Sequence, residues 1–333
     1  MRRILAFCLA LLFCACSTGC GTEPPAPKPE KKRLTVYSTL SSPLLEILVN
    51  EYEKQRGVRV DLIAGDALMY PEDAGEADVI LGLPPELAAE HRANLRIYAS
   101  LNEYNLQREL QTAEDCVTCF AVCANVLLVN TNLLGSTELK GYADLLRPEL
   151  KGQVALPHPK YSATGYGHLI NMLAAMGDEQ KGWSFMQRLV SQGLQLPVET
   201  AAAAARDVAL GKVTVALTTE NAAREQVEAG APVRIVYMQE GVLTYPIGVS
   251  IAEWTPSRHE AEDFVDFLTG RSTQSVLMRQ LNFRPVRSDI VSELPEIKTL
   301  TVPGGVFKSE PQRREQRIAA FQALLVKRHE VTP

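Results

Sequence analysis

"RLTVYSTLSSPLLEILVNEYEKQRGVRVDLI", residues 33–63, decides the fold class. "RLTVYS" is a short apolar strand that ends at Ser38, and "PLLEILVNEYEKQRG" carries apolar residues at helical spacing until Gly57 stops it. "VRVDLI" is a second strand, so the stretch is a β-α-β unit. Outward from it the same alternation continues. "ADVILG", "NVLLVNTNLL", "GQVALP", "KVTVALTTE", "PVRIVYM" and "YPIGVSIA" are strands, and helical segments such as "GYGHLINMLAAMG", "EQKGWSFMQRLVSQG" and "RHEAEDFVDFLTG" lie between or after them. Alternation of this kind predicts an α/β fold with a mostly parallel sheet covered by helices. The tail "EQRIAAFQALLVKR" is an amphipathic helix expected to pack on the body.

At 333 residues the chain is long enough for two domains of ordinary size. Its 34 basic and 39 acidic residues give a net charge of -5, which supplies no global basic field and argues against nucleic acid as a partner. The N-terminus has its own signature. "MRR" followed by "ILAFCLALLFCAC" is a basic start and an apolar run too short for a stable membrane span, as in an export signal over residues 1–19. Gly19 and Cys20 stand where bacterial lipoprotein precursors carry a small residue and the lipid-modified cysteine, with Cys16 the fallback. Residues 20–33, rich in proline and charge, have the composition of an extended spacer. The expectation is an exported chain anchored by lipid to the cell envelope.

The ordered series "LTVYSTLSSPLLEILVNEYEKQRGVRV", "ADVILG", "VLLVNTNLL", "SATGYGHLINMLAAMG", "ALGKVTVALTTENAA", "GAPVRIVYMQEG" and "HEAEDFVDFLTGRSTQSVL" resembles the bacterial solute-binding proteins of ABC importers. The branch it resembles includes ferric-iron, phosphonate and sugar-phosphate binders, of the type II periplasmic-binding-protein fold. The resemblance implies two α/β lobes, each a mixed sheet flanked by helices, joined by hinge strands and closing on a ligand. Its expected lobes are residues 34–110 with 232–285, and 111–231 with 286–333. It further implies a monomer that takes a small solute to an ABC permease in the membrane.

In open α/β sheets ligands lie beyond the carboxyl ends of strands, which selects three loops. "YSTLSSP" offers Ser38, Thr39 and Ser41 in front of a helix, where hydroxyls and free N–H groups suit an anion or where one serine is simply a cap. "YSATGYGH" offers Ser162, Ala163, Thr164 and Gly165; one hydroxyl suffices for a cap, and the loop has two. "LTTENAAREQ" offers Thr219, Glu220 and Asn221, with Glu220 able to pair with an amine. Gly65 and Asp66 at the end of the second strand, and Tyr245 near the returning hinge strand, complete the candidates. His168 reads chiefly as a packing residue. The resemblance to iron binders breaks at residues 220–222, where Glu-Asn-Ala replaces a pair of adjacent tyrosines.

The solute expected is therefore a small organic anion, such as a phosphonate or organic phosphate. A ferric ion or chelate is the alternative, and a ligand-sensing lipoprotein or a lipid-anchored hydrolase the alternatives of another class. No G-x-S-x-G, P-loop, G-x-G-x-x-G or H-E-x-x-H motif points to an enzyme, and no cofactor or structural metal is expected. Of seven cysteines, Cys116, Cys119 and Cys123 lie beyond the signal; in an exported chain two of them are candidates for a local disulfide, with buried unpaired thiols the alternative.

Overall fold

The computed structural model describes residues 32–38, 40, 42–65, 74–85, 88, 91–111, 115–196, 200–300 and 311–331. The β-α-β unit is there as β1 (Arg33–Ser38), α1 (Ser42–Arg56) and β2 (Arg59–Ala64). β1 pairs in parallel with β2 on one side and with β3 (Val79–Leu83) on the other.

From here the sheet departs from the parallel expectation. β4 (Thr118–Asn130) is long, and β8 (Thr244–Ile251) runs back antiparallel between β3 and the first half of β4. From Asn125 onward β4 takes new partners, β6 (Val215–Thr219) on one side and β7 (Val233–Val236) on the other, both antiparallel. β6 then pairs in parallel with β5 (Val154–Ala155). The order is β2-β1-β3-β8-β4-β6-β5, with β7 off this path. The physical reason for the mixed sheet is that β4 is long enough to change partners half-way, and β8 runs back along its first half, so the two must oppose each other. The molecule is a two-lobed α/β structure in which those strands are shared.

The other helices are α2 (Thr131–Leu134), α3 (Ala163–Ala175), α4 (Glu179–Ser191), α5 (Ala201–Ala209), α6 (Glu220–Glu228), α7 (Arg258–Thr269), α8 (Arg271–Arg279) and α9 (Pro311–Val331). Side chains alternate across β4 and β6. Val126, Leu128 and Ala216 pack on Ala204 and Ala205 of α5 and on Ala222 and Ala223 of α6, small residues that let the two helices lie close to the strands. Leu127, Val129, Val215 and Leu217 face the other way, toward α3 and α4, in a core that continues to Leu34, Val36 and Val79. Each fully buried Val or Leu contributes about 1.5–3 kcal/mol. The tail helix α9 packs as expected, with Phe321 fully buried 5.9 Å from the His158 ring.

The cysteines require a correction. All three are buried thiols outside any disulfide. Cys116 packs with Tyr37 and Ile80, Cys119 with Leu106 and Val286, and Cys123 with the main core. Four residues of extended strand span about 13 Å, whereas a disulfide needs Cα atoms within about 7 Å, so Cys119 and Cys123 are out of reach of each other. Close spacing in sequence is not closeness in space once the stretch is extended as β4. Cys16, Cys20, the signal segment and the spacer lie outside the described residues, as do Thr39, Ser41 and Asp66. No described helix is long and apolar enough to cross a membrane.

Candidate functional site

The start of α3 is built so that its two hydroxyls do different work. Ser162 is the N-cap: its backbone is extended and its Oγ accepts from the Gly165 N–H at 3.3 Å. Gly165 has no alternative, because a Cβ there would stand 2.1 Å from the Pro157 carbonyl oxygen. The first turn thus lies directly on the Pro157–His158 backbone. Ala163, half-buried, opens the helix beside the cap. Thr164 is not needed as a cap. Its hydroxyl donates to the Tyr245 phenol on β8, and that phenol donates to Cys123 Sγ on β4. A short polar chain therefore ties the helix N-terminus to both connecting strands. Burial raises Tyr245 well above its ordinary value and pushes the Cys123 thiol up to about 12, so both groups stay neutral near pH 7.

Beside this chain β6 ends and α6 begins. Thr219 lies opposite Asn125 in the strand register and makes no side-chain cap bond to α6. Glu220, only 2 % exposed, is gripped by Arg284, with Nε on Oε2 at 2.8 Å and Nη2 on Oε1 at 2.9 Å. Tyr237 donates to Oε1 at 2.6 Å. The amine partner expected for Glu220 is thus met inside the protein by a guanidinium. Arg284 itself is anchored by backbone bonds to Val122, 3.1 Å and 3.2 Å long, at the crossover of β4. Asn221 keeps a buried Oδ1 without a partner among the described residues.

At the end of β1 Ser38 is nearly fully buried, and its Oγ accepts from the Leu40 N–H at 3.1 Å. Its carbonyl accepts from Gly65 at 2.9 Å, and the Tyr37 ring lies against Gly65 where a Cβ would collide with it. The candidates so form two groups, Ser38 with Gly65 at the ends of β1 and β2, and Ser162, Thr164, Tyr245 and Thr219 around the start of α3. His168 belongs to the interior: Nδ1 accepts from the Tyr142 hydroxyl at 2.7 Å and Nε2 donates to the Thr218 carbonyl at 2.9 Å. Burial lowers it to about 4, so it is a neutral packing residue. Asn125, Cys123 and Arg284 were not among the residues singled out as ligand contacts. Asn125 alone had a visible signal, a lone amide inside the apolar run "ANVLLV". Among the described residues no group of three or more His, Cys, Asp or Glu is placed to hold a metal.

Residues 96–305 match the family model described as "Bacterial extracellular solute-binding protein". The chain belongs to that family. Among solved structures, this solute-binding protein is similar to one described as "Two-component system protein mediate signal transduction", with 26 % identity, TM-score 0.70, and 88 % of this chain and 100 % of that one covered. It is also similar to the periplasmic binding protein AfuA from Actinobacillus pleuropneumoniae, solved with fructose-6-phosphate, at 20 % identity and TM-score 0.70, covering 89 % of this chain and 97 % of that one. Iron-bound HitA from Pseudomonas aeruginosa aligns at 15 % identity and TM-score 0.73, covering 88 % and 99 %. The last two establish a shared fold with this solute-binding protein. No curated protein sequence matches it.

Proposed function

We propose that this solute-binding protein captures a small organic anion, such as a phosphonate or organic phosphate, between its lobes and delivers it to an ABC permease. One observation carries the reading. At the start of α3 the cap is filled by Ser162 alone, so the Thr164 hydroxyl can turn its proton from the Tyr245 phenol to an anion, beside Thr219 and a helix N-terminus whose partial positive charge favours negative charge. Ser38 and Gly65 form the facing wall from the first lobe. We assign β1–β3 to that lobe and β5–β7 to the second, with β4 and β8 as the hinge. The relative solved with fructose-6-phosphate supports an organic phosphate as the first probe.

A ferric ligand is less well served, since Tyr245 is committed to Thr164 and Cys123 and its burial opposes the phenolate form. A second reading, ligand sensing through a membrane receptor, is favoured by the relative described as mediating signal transduction. Both readings use the same cleft and place the chain outside the cytoplasm, tethered through Cys20 or, failing that, Cys16; loss of membrane association on Cys20→Ser tests the tether.

The binding test measures the thermal midpoint with fructose 6-phosphate, simple phosphonates and ferric citrate, because binding to the native state raises apparent stability, by about 2.7 kcal/mol at a hundredfold excess over Kd. An organic anion raises the midpoint of the wild type, and the Ser162→Ala/Thr164→Ala double variant stays folded but loses tenfold or more in affinity. A shift with ferric citrate alone, accompanied by a tyrosinate absorption band, overturns the organic-anion reading.

A further inference from the structure

We infer that Asn125 is a polar gate in the hinge, one that holds the lobes away from the packed arrangement until solute is bound; the inference rests on the proposed closure around a solute. Three observations converge on it. The first is position: β4 pairs with β8 up to Ala124 and with β6 from Asn125 on, so Asn125 is the residue at which the strand passes from one lobe's partner to the other's. The second is burial without partners. Asn125 is fully buried, and neither its Nδ2 nor its Oδ1 has a hydrogen-bond partner among the described residues. The third is what covers it. An ideal Cβ on Gly167 of α3 would stand 3.5 Å from Nδ2 and 3.6 Å from Oδ1, and 3.5 Å from a ring carbon of Tyr245. The amide is thus covered by α3 and by Tyr245 of the returning strand, the residue that joins Thr164 to Cys123.

Its neighbours do not offer a hidden remedy. Gly167 has no side chain, Cys123 sits two residues earlier on the same face with its sulfur hydrogen-bonded to Tyr245, Leu127 two residues later is apolar, and Thr219, opposite in register, makes no bond to either amide atom. An amide with neither atom satisfied disfavours the packed arrangement, and the size of such penalties corresponds to a factor of roughly ten to a hundred in an equilibrium. Rotation about the β4/β8 crossover that draws Tyr245 off α3 lets water reach the amide and removes the penalty. A solute bound to Thr164 and the α3 terminus supplies the free energy to hold the packed state. The consequence for function is discrimination: a transporter or receptor that reads the packed form meets it only when the protein is loaded.

The test compares full-length wild type with Asn125→Leu, which has almost the same shape and no polar atoms, in the absence of solute. Hydrogen exchange at the β4 and α3 amides slows about tenfold in the variant, its thermal midpoint rises, and small-angle scattering gives a smaller radius of gyration. Asn125→Val provides the same readout should leucine disturb folding. If both variants melt earlier and exchange faster, the amide is satisfied in the native state, for example through a bound water, and the gate is overturned; unchanged exchange and radius overturn it equally. These measurements need no solute, so they fail independently of the binding reading. With fructose 6-phosphate as probe, Asn125→Leu additionally tightens binding by the factor by which it slows exchange.

Discussion

His168 shows how much a single buried side chain can set. It is held between the Tyr142 hydroxyl and the Thr218 carbonyl, and burial lowers it to about 4 from an ordinary 6.5. In the unfolded chain it gains its proton near pH 6.5, while in the folded protein it resists until about pH 4. The unfolded state therefore binds more protons between these values, and the stability due to neutral His168 is complete above 6.5 and is lost as the pH falls toward 4. Its full size is up to about 3 kcal/mol. Denaturant titrations from pH 7 to pH 4 should show this loss, and His168→Gln should lower stability at pH 7 while flattening the slope. A slope identical to wild type would remove His168 from the acid response. Ser162 and Thr164 were legible from sequence because small polar residues before an apolar run announce a helix start. Their division of labour was not, since only the packing of Tyr245 against α3 decides which hydroxyl is spare.

At the scale of elements, α6 illustrates a charge that local sequence misassigns. Glu220 opens that helix at the end of a strand, where a carboxylate is free to meet a ligand, yet its partner Arg284 stands 64 residues downstream. No periodicity links the two. The contact exists because the segment after α8 pairs its backbone with Val122 and so brings Arg284 to the hinge. Asn282 extends the junction, accepting from Arg224 at 2.8 Å and donating to Glu228 at 3.1 Å, both on α6. Removing one member of a buried pair strands the other, so Glu220→Gln should cost roughly 2–4 kcal/mol. The double variant Glu220→Gln/Arg284→Gln should recover part of that loss in equilibrium unfolding. Additive losses would show that the two side chains do not act as a pair. β4 carries the same lesson for the fold: its second half was plain as "NVLLVN", while its first half was hidden under the cysteines of "CVTCFAVC". The parallel β-α-β units were readable from their short, local connections; the antiparallel return of β8 depends on residues more than a hundred positions away.

Across the whole molecule, the two lobes share one apolar core. The cluster that holds Leu34, Val36 and Val79 around β1 continues through Phe120, Tyr245 and Val249 to Leu127, Leu169, Leu217 and Phe321. The apolar core crosses the hinge because β4 and β8 are buried over most of their length, with Val122, Thr244 and Pro246 only partly so. Lobes coupled in this way have no interface that can melt while each half keeps its packing: parting them exposes the connecting strands and opens the core of both. Heating should therefore give one transition, with the calorimetric enthalpy equal to the van't Hoff enthalpy. A bound solute should raise that single midpoint without splitting it, since contacts with α3 stabilise a body that unfolds as a unit. Two resolved transitions, of which solute moved only one, would instead mean that the hinge insulates the lobes, and that the shared strands pass through the core without coupling it.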